Sequence, residues 1–238
     1  MQEPELNLKK IAADKALEYI RDGMILGLGT GSTAYWAIVG IGEMLKKGLK
    51  VRAVATSVQS ETLAREAGIP IVPFSEIDHI DLTIDGADEV DEDLNLIKGG
   101  GGALLREKIV AAATKFYIII VDEGKRVSHL GKFPLPVEIA PFGWELTRHH
   151  LEKLGCSLHL RTTDKSAGKT VDDKTFHTDN GHYILDCFFG SIADPRLLNE
   201  QVNAIPGVMD NGLFIHMADV VITGYGDGST KISKKGQA

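Results

Sequence analysis

The chain has 238 residues, of which 43% are hydrophobic and 25% are charged, an ordinary balance for a folded protein with a sizeable buried core. Its formal net charge of −7 argues against a nucleic-acid partner, because a duplex repels an acidic surface. The sequence has two cysteines without a CxxC pair, no signal-peptide pattern and no apolar run long enough to span a bilayer. These features favour a cytoplasmic protein with reduced thiols and leave a single disulfide open.

The first half of the chain alternates helices and apolar strands. Apolar residues recur at helical spacing over residues 8–20, and a buried strand at 24–28 leads through a glycine-rich turn into a helix that ends at residue 45. Such alternation predicts a doubly wound α/β domain with a largely parallel sheet. Its further elements are predicted as strands at 51–55, 69–72, 81–84, 95–97 and 116–121 and helices at 57–67 and 103–115.

The pattern changes after residue 132. Residues 133–136 contain two prolines, which favour a linker. The order of the next elements is β-α-β-β-α-β, the order of a ferredoxin-like unit. These elements are strand 137–140, helix 144–154, strands 157–161 and 183–189, helix 195–204 and strand 212–216.

Three more segments complete the predicted organisation. An apolar strand at 219–223 can return to the first sheet, residues 164–173 are expected to form an exposed loop, and residues 231–238 a frayed tail. We therefore expect a main domain at 1–132 and 217–238 and a small α+β domain at 133–216.

A glycine-rich turn at residues 29–34 (GTGSTA) joins the first strand to its helix. It fits the loose dinucleotide pattern G-x-G-x-x-A, but the acid that this pattern needs on the second strand is replaced by hydroxyl residues. The glycines let backbone N–H groups approach an anion at a helix N-terminus, and Ser32 and Thr33 add donors. The turn is equally compatible with a phosphate site and with a tight, capped strand-to-helix turn.

An acidic turn with Asp85 and Asp88 follows the strand at 81–84. Several acids of residues 81–92 occupy EF-hand positions, but a threonine replaces one ligand and a strand precedes the loop, so we reject calcium. Open α/β sheets bind ligands beyond the carboxyl ends of their strands. The turn is therefore predicted to bind a ligand, with a solvated acidic turn as the alternative.

Four consecutive glycines at residues 99–102 follow Lys98 and precede a helix. A structural turn needs only one or two glycines, and a longer run is entropically costly. Glycines at a helix N-terminus expose N–H groups that stabilise an oxyanion. Lys98 adds a cation and Glu107 a carboxylate, although a lone glutamate is ordinarily a surface residue. Lys125 follows the strand at 116–121, so all these motifs are predicted to meet at one edge of the sheet.

Five stretches carry a resemblance to a known family: GLGTGST at 27–33, DGADEVD at 85–91, KGGGGALLREKI at 98–109, LGKFPLPVEI at 130–139 and TDNGHYILD at 178–186. Together they resemble the type A ribose-5-phosphate isomerase family over essentially the whole chain. The resemblance implies a Rossmann-like main domain with a smaller α+β domain, and interconversion of D-ribose 5-phosphate and D-ribulose 5-phosphate through a cis-enediolate in the non-oxidative pentose phosphate pathway. It also implies no cofactor and a homodimer or homotetramer, and we expect no metal.

The resemblance also assigns site residues. The family's proton acceptor falls on Glu107, and we expect Asp85 to open the sugar ring and Lys98 to help the glycine amides stabilise the enediolate. Lys9 falls where some members place a phosphate-contacting lysine. The substrate-binding stretches fall on Thr30, Gly31, Ser32 and Thr33, on Asp85, Gly86, Ala87 and Asp88, on Lys98, Gly99, Gly100 and Gly101, and on Lys125.

The expected division of labour places Ser32, Thr33 and Lys125 on the phosphate and Asp88 on sugar hydroxyls. The chain departs from the family pattern at Gly124, where members often have serine, and at residues 56–60, which read TSVQS where members have a serine run.

Two other classes of function are weighed against the isomerase. A sugar-phosphate-sensing regulator lacks room for a DNA-reading module before residue 24, and an NAD-dependent oxidoreductase lacks its acid on the second strand. No zinc-site spacing or nucleophile elbow occurs.

Overall fold

The computed structural model describes residues 7–163 and 175–236, so the loop predicted at 164–173 lies outside the described residues. The helices are α1 Leu8–Leu17, α2 Ala34–Lys46, α3 Val58–Glu66, α4 Leu104–Ala112, α5 Trp144–Glu152 and α6 Pro195–Asn203. The strands are β1 Ile25–Leu28, β2 Arg52–Ala55, β3 Leu82–Asp85, β4 Glu89–Val90, β5 Leu96–Ile97, β6 Tyr117–Asp122, β7 Leu135–Ile139, β8 Ser157–Leu160, β9 Tyr183–Phe188, β10 Val208–Asn211, β11 Leu213–Phe214, β12 Val220–Gly224 and β13 Thr230–Lys234.

The main sheet has the strand order β13-β12-β6-β3-β1-β2, and all neighbours run parallel except the antiparallel pair β12 and β13. Its central strands β1 and β3 are buried at every position because both faces of the sheet are covered. Helices α1 and α2 pack on one face, and the segments that carry β4, β5 and β11 pack on the other. The doubly wound α/β class is confirmed, as is the return of the strand predicted at 219–223.

The strand order reverses between β1 and β3. From β1 the chain moves outward to β2, whereas from β3 it moves in the opposite direction to β6 and β12. The loops that follow β1 and β3 therefore part from each other and leave a crevice at the carboxyl edge. Open α/β sheets bind their ligands at such a point.

The small sheet is antiparallel, with the order β10-β7-β9-β8. Together with α5 and α6, these strands form the predicted ferredoxin-like unit. Its apolar core includes Cys156 and Cys187, which are buried free thiols, so the disulfide left open by the sequence is not formed.

The predicted linker at 133–136 is wrong in its second half, because Leu135 and Pro136 begin the central strand β7. A proline contributes no N–H to a ladder, but β10 ends at Asn211, before it reaches the level of Pro136. The Pro136 carbonyl accepts a hydrogen bond from Gly212 N at 2.8 Å. The start of β7 is therefore hydrogen-bonded even though Pro136 has no N–H to donate.

Other predicted elements also differ from the structure. Residues 69–72 make one parallel bridge, Ile71 with Ala53, since Pro70 and Pro73 cannot donate to a neighbouring strand. The strand predicted at 212–216 is wrong as the last strand of the small sheet, because β10 occupies that edge. Within the predicted range, β11 instead pairs with β5 in a three-stranded sheet whose third strand, β4, was not predicted. The frayed tail predicted at 231–238 is wrong up to the end of β13, which pairs with β12. The domain division at residues 133 and 217 stays a prediction.

Within the described residues, the helices are all too short or too polar to cross a bilayer.

Candidate active site

A cavity of about 110 Å³ opens at the carboxyl edge of the main sheet, at the point where the strand order reverses. It brings together loops that follow β1, β3, β5 and β6, as the sequence motifs predicted. Its lining residues are Lys9, Thr30, Gly31, Ser32, Thr33, Gly86, Ala87, Asp88, Lys98, Gly99, Gly101, Glu107 and Lys125. Two of the predicted site residues, Asp85 and Gly100, are outside this lining.

The loop after β1 is packed directly on Asp85. A Cβ atom on Gly29 would lie 2.1 Å from Asp85 Oδ1, so only glycine permits this approach. The next residue, Thr30, donates its backbone N–H to the same oxygen at 3.1 Å. Its hydroxyl lies 2.7 Å from that of Thr56 and 2.8 Å from that of Ser57. The hydroxyl-rich loop after β2 thus supports Thr30 from the side away from the cavity.

One end of the cavity is rich in donors and open to solvent. Ser32 and Thr33 lie at the start of α2, where the first backbone N–H groups of a helix and its dipole favour an anion. Lys9 reaches this loop from α1 and donates to Ser32 Oγ at 2.8 Å. Lys125 enters from the turn after β6, with its ammonium 6.0 Å from the ring of Phe133. Together these groups form a cationic, hydroxyl-lined pocket.

At the opposite end, Asp85 is fully buried at the tip of β3. Its Oδ1 accepts from Thr30 N and Gly86 N, and its Oδ2 accepts from the hydroxyl of Tyr117 at 3.2 Å and lies 3.0 Å from Lys98 Nζ. Each oxygen is therefore satisfied from within the protein. Asp85 is not one of the residues that line the cavity, so any part that it takes in ring opening passes through Lys98, and the ring-opening role expected from the sequence stays a prediction.

Lys98 carries the positive charge at this end. Its side chain is 2% exposed, and Nζ lies 3.0 Å from Asp85 Oδ2 and 3.5 Å from Glu107 Oε2, and donates to the Gly86 carbonyl. Burial by itself lowers the pKa of Lys98, but the carboxylates of Asp85, Glu107 and Asp88 outweigh it, so the pKa is raised. The ammonium therefore stays charged.

Glu107 projects from the first turn of α4 into the same end of the cavity and is 4% exposed. Its Oε2 is buried and has no hydrogen-bond partner within the described residues. Burial raises the pKa of Glu107 to about 8, with Asp85 and Asp88 acting in the same direction and Lys98 opposing them. A carboxylate with an unused oxygen and a pKa near neutrality is suited to accept and return a proton.

The glycine run forms the wall between these two ends. Gly99 has a φ of 102°, in the left-handed region that favours glycine. The backbone N–H of Gly100 donates to Asp88 Oδ2 at 2.8 Å, which fixes that carboxylate at the cavity edge. At Gly101 a Cβ atom would meet only the Thr30 methyl, at 3.6 Å, so the wall there is open.

The sequence did not indicate that the small sheet contributes to the site. Arg161, just after β8, bonds the carbonyls of Gly99 and Gly100, and Arg106 on α4 bonds Asp179 and Asn180 in the turn before β9. The TDNG motif at 178–181 was the one available signal. Arg161 gave none, because its partners lie about sixty residues away in the chain.

No cluster of three or more histidine, cysteine, aspartate or glutamate side chains is arranged to hold a metal ion in the part of the chain that the structure describes. The charges at the buried end are instead paired with one another and with backbone groups.

Comparison with known families gives one match over most of the sequence. The family model for ribose 5-phosphate isomerase A (phosphoriboisomerase A) matches residues 52–228. Ribose-5-phosphate isomerase A of Bacillus mycoides (strain KBAB4) is 50% identical over 224 residues, which are 94% of this chain and 98% of the relative. The protein of that name from Methanothermobacter thermautotrophicus is 46% identical over 224 residues, 94% of this chain and 96% of the relative.

Solved structures agree with this match. Ribose 5-phosphate isomerase A from Methanocaldococcus jannaschii superposes with a TM-score of 0.87 at 38% identity, covering 96% of this chain and 98% of that one. A D-ribose-5-phosphate isomerase in complex with phospho-erythronic acid superposes with a TM-score of 0.89 at 41% identity, covering 96% and 100%. Coverage this complete includes both the main and the small sheet.

Proposed function

Because the chain belongs to the ribose 5-phosphate isomerase A family, we propose that the cavity at the carboxyl edge of its main sheet is its active site. The chain interconverts D-ribose 5-phosphate and D-ribulose 5-phosphate, an aldose–ketose isomerisation of the non-oxidative pentose phosphate pathway. A base removes the C2 proton of the open-chain aldose and returns it to C1, while the hydroxyl proton passes from O2 to O1 of the cis-enediolate. The reaction needs a base, stabilisation of the enediolate and a grip on the phosphate.

Glu107 is the base in this proposal, and the observation that carries it is its buried Oε2 in the cavity wall, which accepts no hydrogen bond and lies 3.5 Å from the Lys98 ammonium. The C2 proton of a sugar is a weak acid, so the base has to be kept free of competing hydrogen bonds and available near neutral pH. The raised pKa of Glu107 makes its ionised form a stronger base than an ordinary glutamate and brings the pKa close to the working pH, where a general base is most effective.

Lys98 and the glycine run stabilise the enediolate. The Lys98 ammonium is fixed by Asp85 and adjoins Glu107, so it faces the negative charge that develops when the proton leaves. Backbone N–H groups of the run add neutral donors. Because these groups are held before substrate arrives, they need no reorganisation during the reaction.

Ring opening needs an acid for the ring oxygen and a base for the anomeric hydroxyl. We propose that Asp88, which lines the cavity, takes the proton of the anomeric hydroxyl and passes it to the ring oxygen, while Asp85 takes part through Lys98, whose ammonium stays charged. At the open end, Ser32, Thr33 and Lys125 bind the phosphate, and Lys9 supports Ser32.

These groups supply proton transfer and charge stabilisation, so we propose a metal-independent reaction without a cofactor. We further propose that the protein acts in the cytoplasm as a homodimer or homotetramer. Exposed apolar side chains support association, since Phe142, just before α5, is 96% exposed and Leu146, in the first turn of α5, is 71% exposed. Light scattering of the protein and of Leu146→Glu measures the subunit number.

Turnover of ribose 5-phosphate in deuterated water, with excess EDTA and no nucleotide, tests the proposed function. We expect ribulose 5-phosphate with partial deuterium at C1, because a protonated Glu107 can exchange with solvent before it returns its proton. Loss of turnover that a divalent ion restores would contradict the metal-independent mechanism. A requirement for added nucleotide would contradict the cofactor-free one.

A further inference from the structure

Arg161 joins the small sheet to the wall of the cavity. Its Nε donates to Asp186 Oδ2 on β9 at 2.9 Å and its Nη2 donates to Oδ1, so the carboxylate fixes the plane of the guanidinium. Its Nη1 donates to the Gly99 carbonyl at 2.8 Å and to the Gly100 carbonyl at 3.3 Å. The side chain is 14% exposed and lies outside the cavity lining.

These contacts determine which way two peptide groups of the wall face. A trans peptide is planar, with its C=O and its N–H on opposite sides, and the described chain has no cis peptide bond. The carbonyl of Gly99 faces Arg161, and the N–H of the same peptide, on Gly100, donates in the other direction to Asp88. The carbonyl of Gly100 also faces Arg161, so the N–H of Gly101 is directed away from it.

The Gly101 N–H has no protein acceptor within the described residues, and Gly101 lines the cavity. Without Arg161 the hydrogen bond from Gly102 N to the Gly99 carbonyl at 3.0 Å still holds the ends of this turn, but its central peptide, between Gly100 and Gly101, can rotate because neither glycine has a side chain that restricts it. A donor that rotates has to be ordered during each turnover, and its stabilisation of the transition state is reduced by that cost.

We propose that Arg161, held by Asp186, is a positioning residue for isomerisation: it aims the Gly101 N–H into the cavity as an oxyanion donor. The inference rests on the proposed role of the glycine run and extends the active site to the small sheet. Arg161 has no contact with the phosphate end of the cavity, so its effect is confined to the reacting end.

Arg161→Ala and the double variant Arg161→Ala/Asp186→Ala test the proposal, the second because it leaves no unpaired carboxylate. We expect kcat to fall by about tenfold to a hundredfold, somewhat less than for outright loss of an oxyanion donor, and KM to stay within about twofold. Inhibition by phospho-erythronic acid, whose carboxylate mimics the enediolate oxygens, should weaken about as much as kcat falls. Inhibition by inorganic phosphate should not change.

Chemical rescue separates positioning from a structural role. Millimolar guanidinium should restore part of kcat in Arg161→Ala, where Asp186 can hold the added ion, and none in the double variant. Arg161→Lys keeps the charge but cannot bond both the carboxylate and the two carbonyls, so its kcat should lie between that of wild type and that of Arg161→Ala. The control Arg148→Ala removes an exposed arginine of the same unit, paired with Glu152, and should behave as wild type.

The proposal is overturned if Arg161→Ala keeps kcat within twofold, or if phosphate and phospho-erythronic acid lose affinity equally. If the alanine variants do not fold, a wild-type kcat in a folded Arg161→Lys variant overturns it as well. The assignment of Glu107 as the base is tested separately. A normal kcat in Glu107→Gln would show that Glu107 is not the base and would not change the result for Arg161.

Discussion

The two ends of the cavity differ in their exposure to water. At the reacting end Asp85, Lys98 and Glu107 are between 0% and 4% exposed, and their charges act on one another in a medium of low polarity. At the phosphate end Ser32 is exposed and Thr33, Lys9 and Lys125 are half-buried. Burial raises the pKa of a carboxylate until it can serve as a base, whereas exposure lets a dianion enter and leave quickly. One cavity thus combines a buried end, where the charged groups act on one another, with an exposed end that is open to solvent.

The largest effect should come from Glu107→Gln, which keeps the shape of the side chain and removes its basicity. A positioned general base contributes about a hundred- to ten-thousandfold in rate, so we expect kcat to fall by that factor with KM little changed. Steady-state kinetics measure both, and thermal unfolding verifies the fold. A kcat near that of wild type would show that Glu107 is not the base and would contradict the assignment of the buried end of the cavity to proton transfer.

The pH profile should show the buried end directly. Because only the ionised form of Glu107 accepts a proton and its pKa is raised to about 8, kcat/KM should fall nearly tenfold per unit as pH drops below that value. The phosphate group of the substrate titrates near pH 6, about two units lower, so its titration can be told apart from that of Glu107. A profile flat from pH 6.5 to 9 would contradict a buried base.

Asp85→Asn sharpens the same test. The Asp85 charge raises the pKa of Glu107, and its loss also leaves Lys98 with Glu107 as its main partner. We therefore expect the acid limb of the profile to move to lower pH by about one unit or more, together with a lower kcat. An unmoved limb would show that Asp85 does not act through these charges.

A smaller effect is expected from Lys125→Ala at the exposed end. Loss of one charged hydrogen bond to phosphate should raise KM for ribose 5-phosphate about ten- to a hundredfold and leave kcat nearly unchanged. Turnover of unphosphorylated ribose should be unaffected, which separates phosphate binding from a role in the fold. Lys9→Ala should weaken binding less, since Lys9 acts partly through Ser32, and Lys10→Ala, whose partner is the exposed Asp14, should have no effect.

The smallest effect should come from Gly101→Ala, where the two ends meet. The new methyl group enters open space 3.6 Å from Thr30, so kcat/KM should fall about tenfold while the melting temperature holds or rises slightly. Gly100→Ala is the matched control, because its methyl group would lie 2.7 Å from Asp88 Oδ1 and should cost stability as well. Equal losses of stability in both would contradict an open wall at Gly101.

Much of the architecture was predictable because it depends on local patterns. Alternating apolar runs and helices predicted the doubly wound sheet, and the motifs in the loops after the strands predicted most residues of the cavity lining. Pro136 was misassigned because its tolerance depends on where a distant strand ends. The burial of Asp85 was likewise hidden, since it results from Tyr117 and Lys98 closing over it, and the contact of Arg161 with the glycine run is long-range.

The place of β12 between β6 and β13 has a consequence for biosynthesis. A ribosome delivers β1 to β6 first and the whole ferredoxin-like unit next, so the apolar edge of β6 stays unpaired until residues 220–224 emerge. Unpaired edges of this kind attract other chains. The nascent protein therefore passes through a stage in which the small unit can be folded while the sheet under the cavity is unfinished, and we expect chaperone dependence to concentrate in that interval.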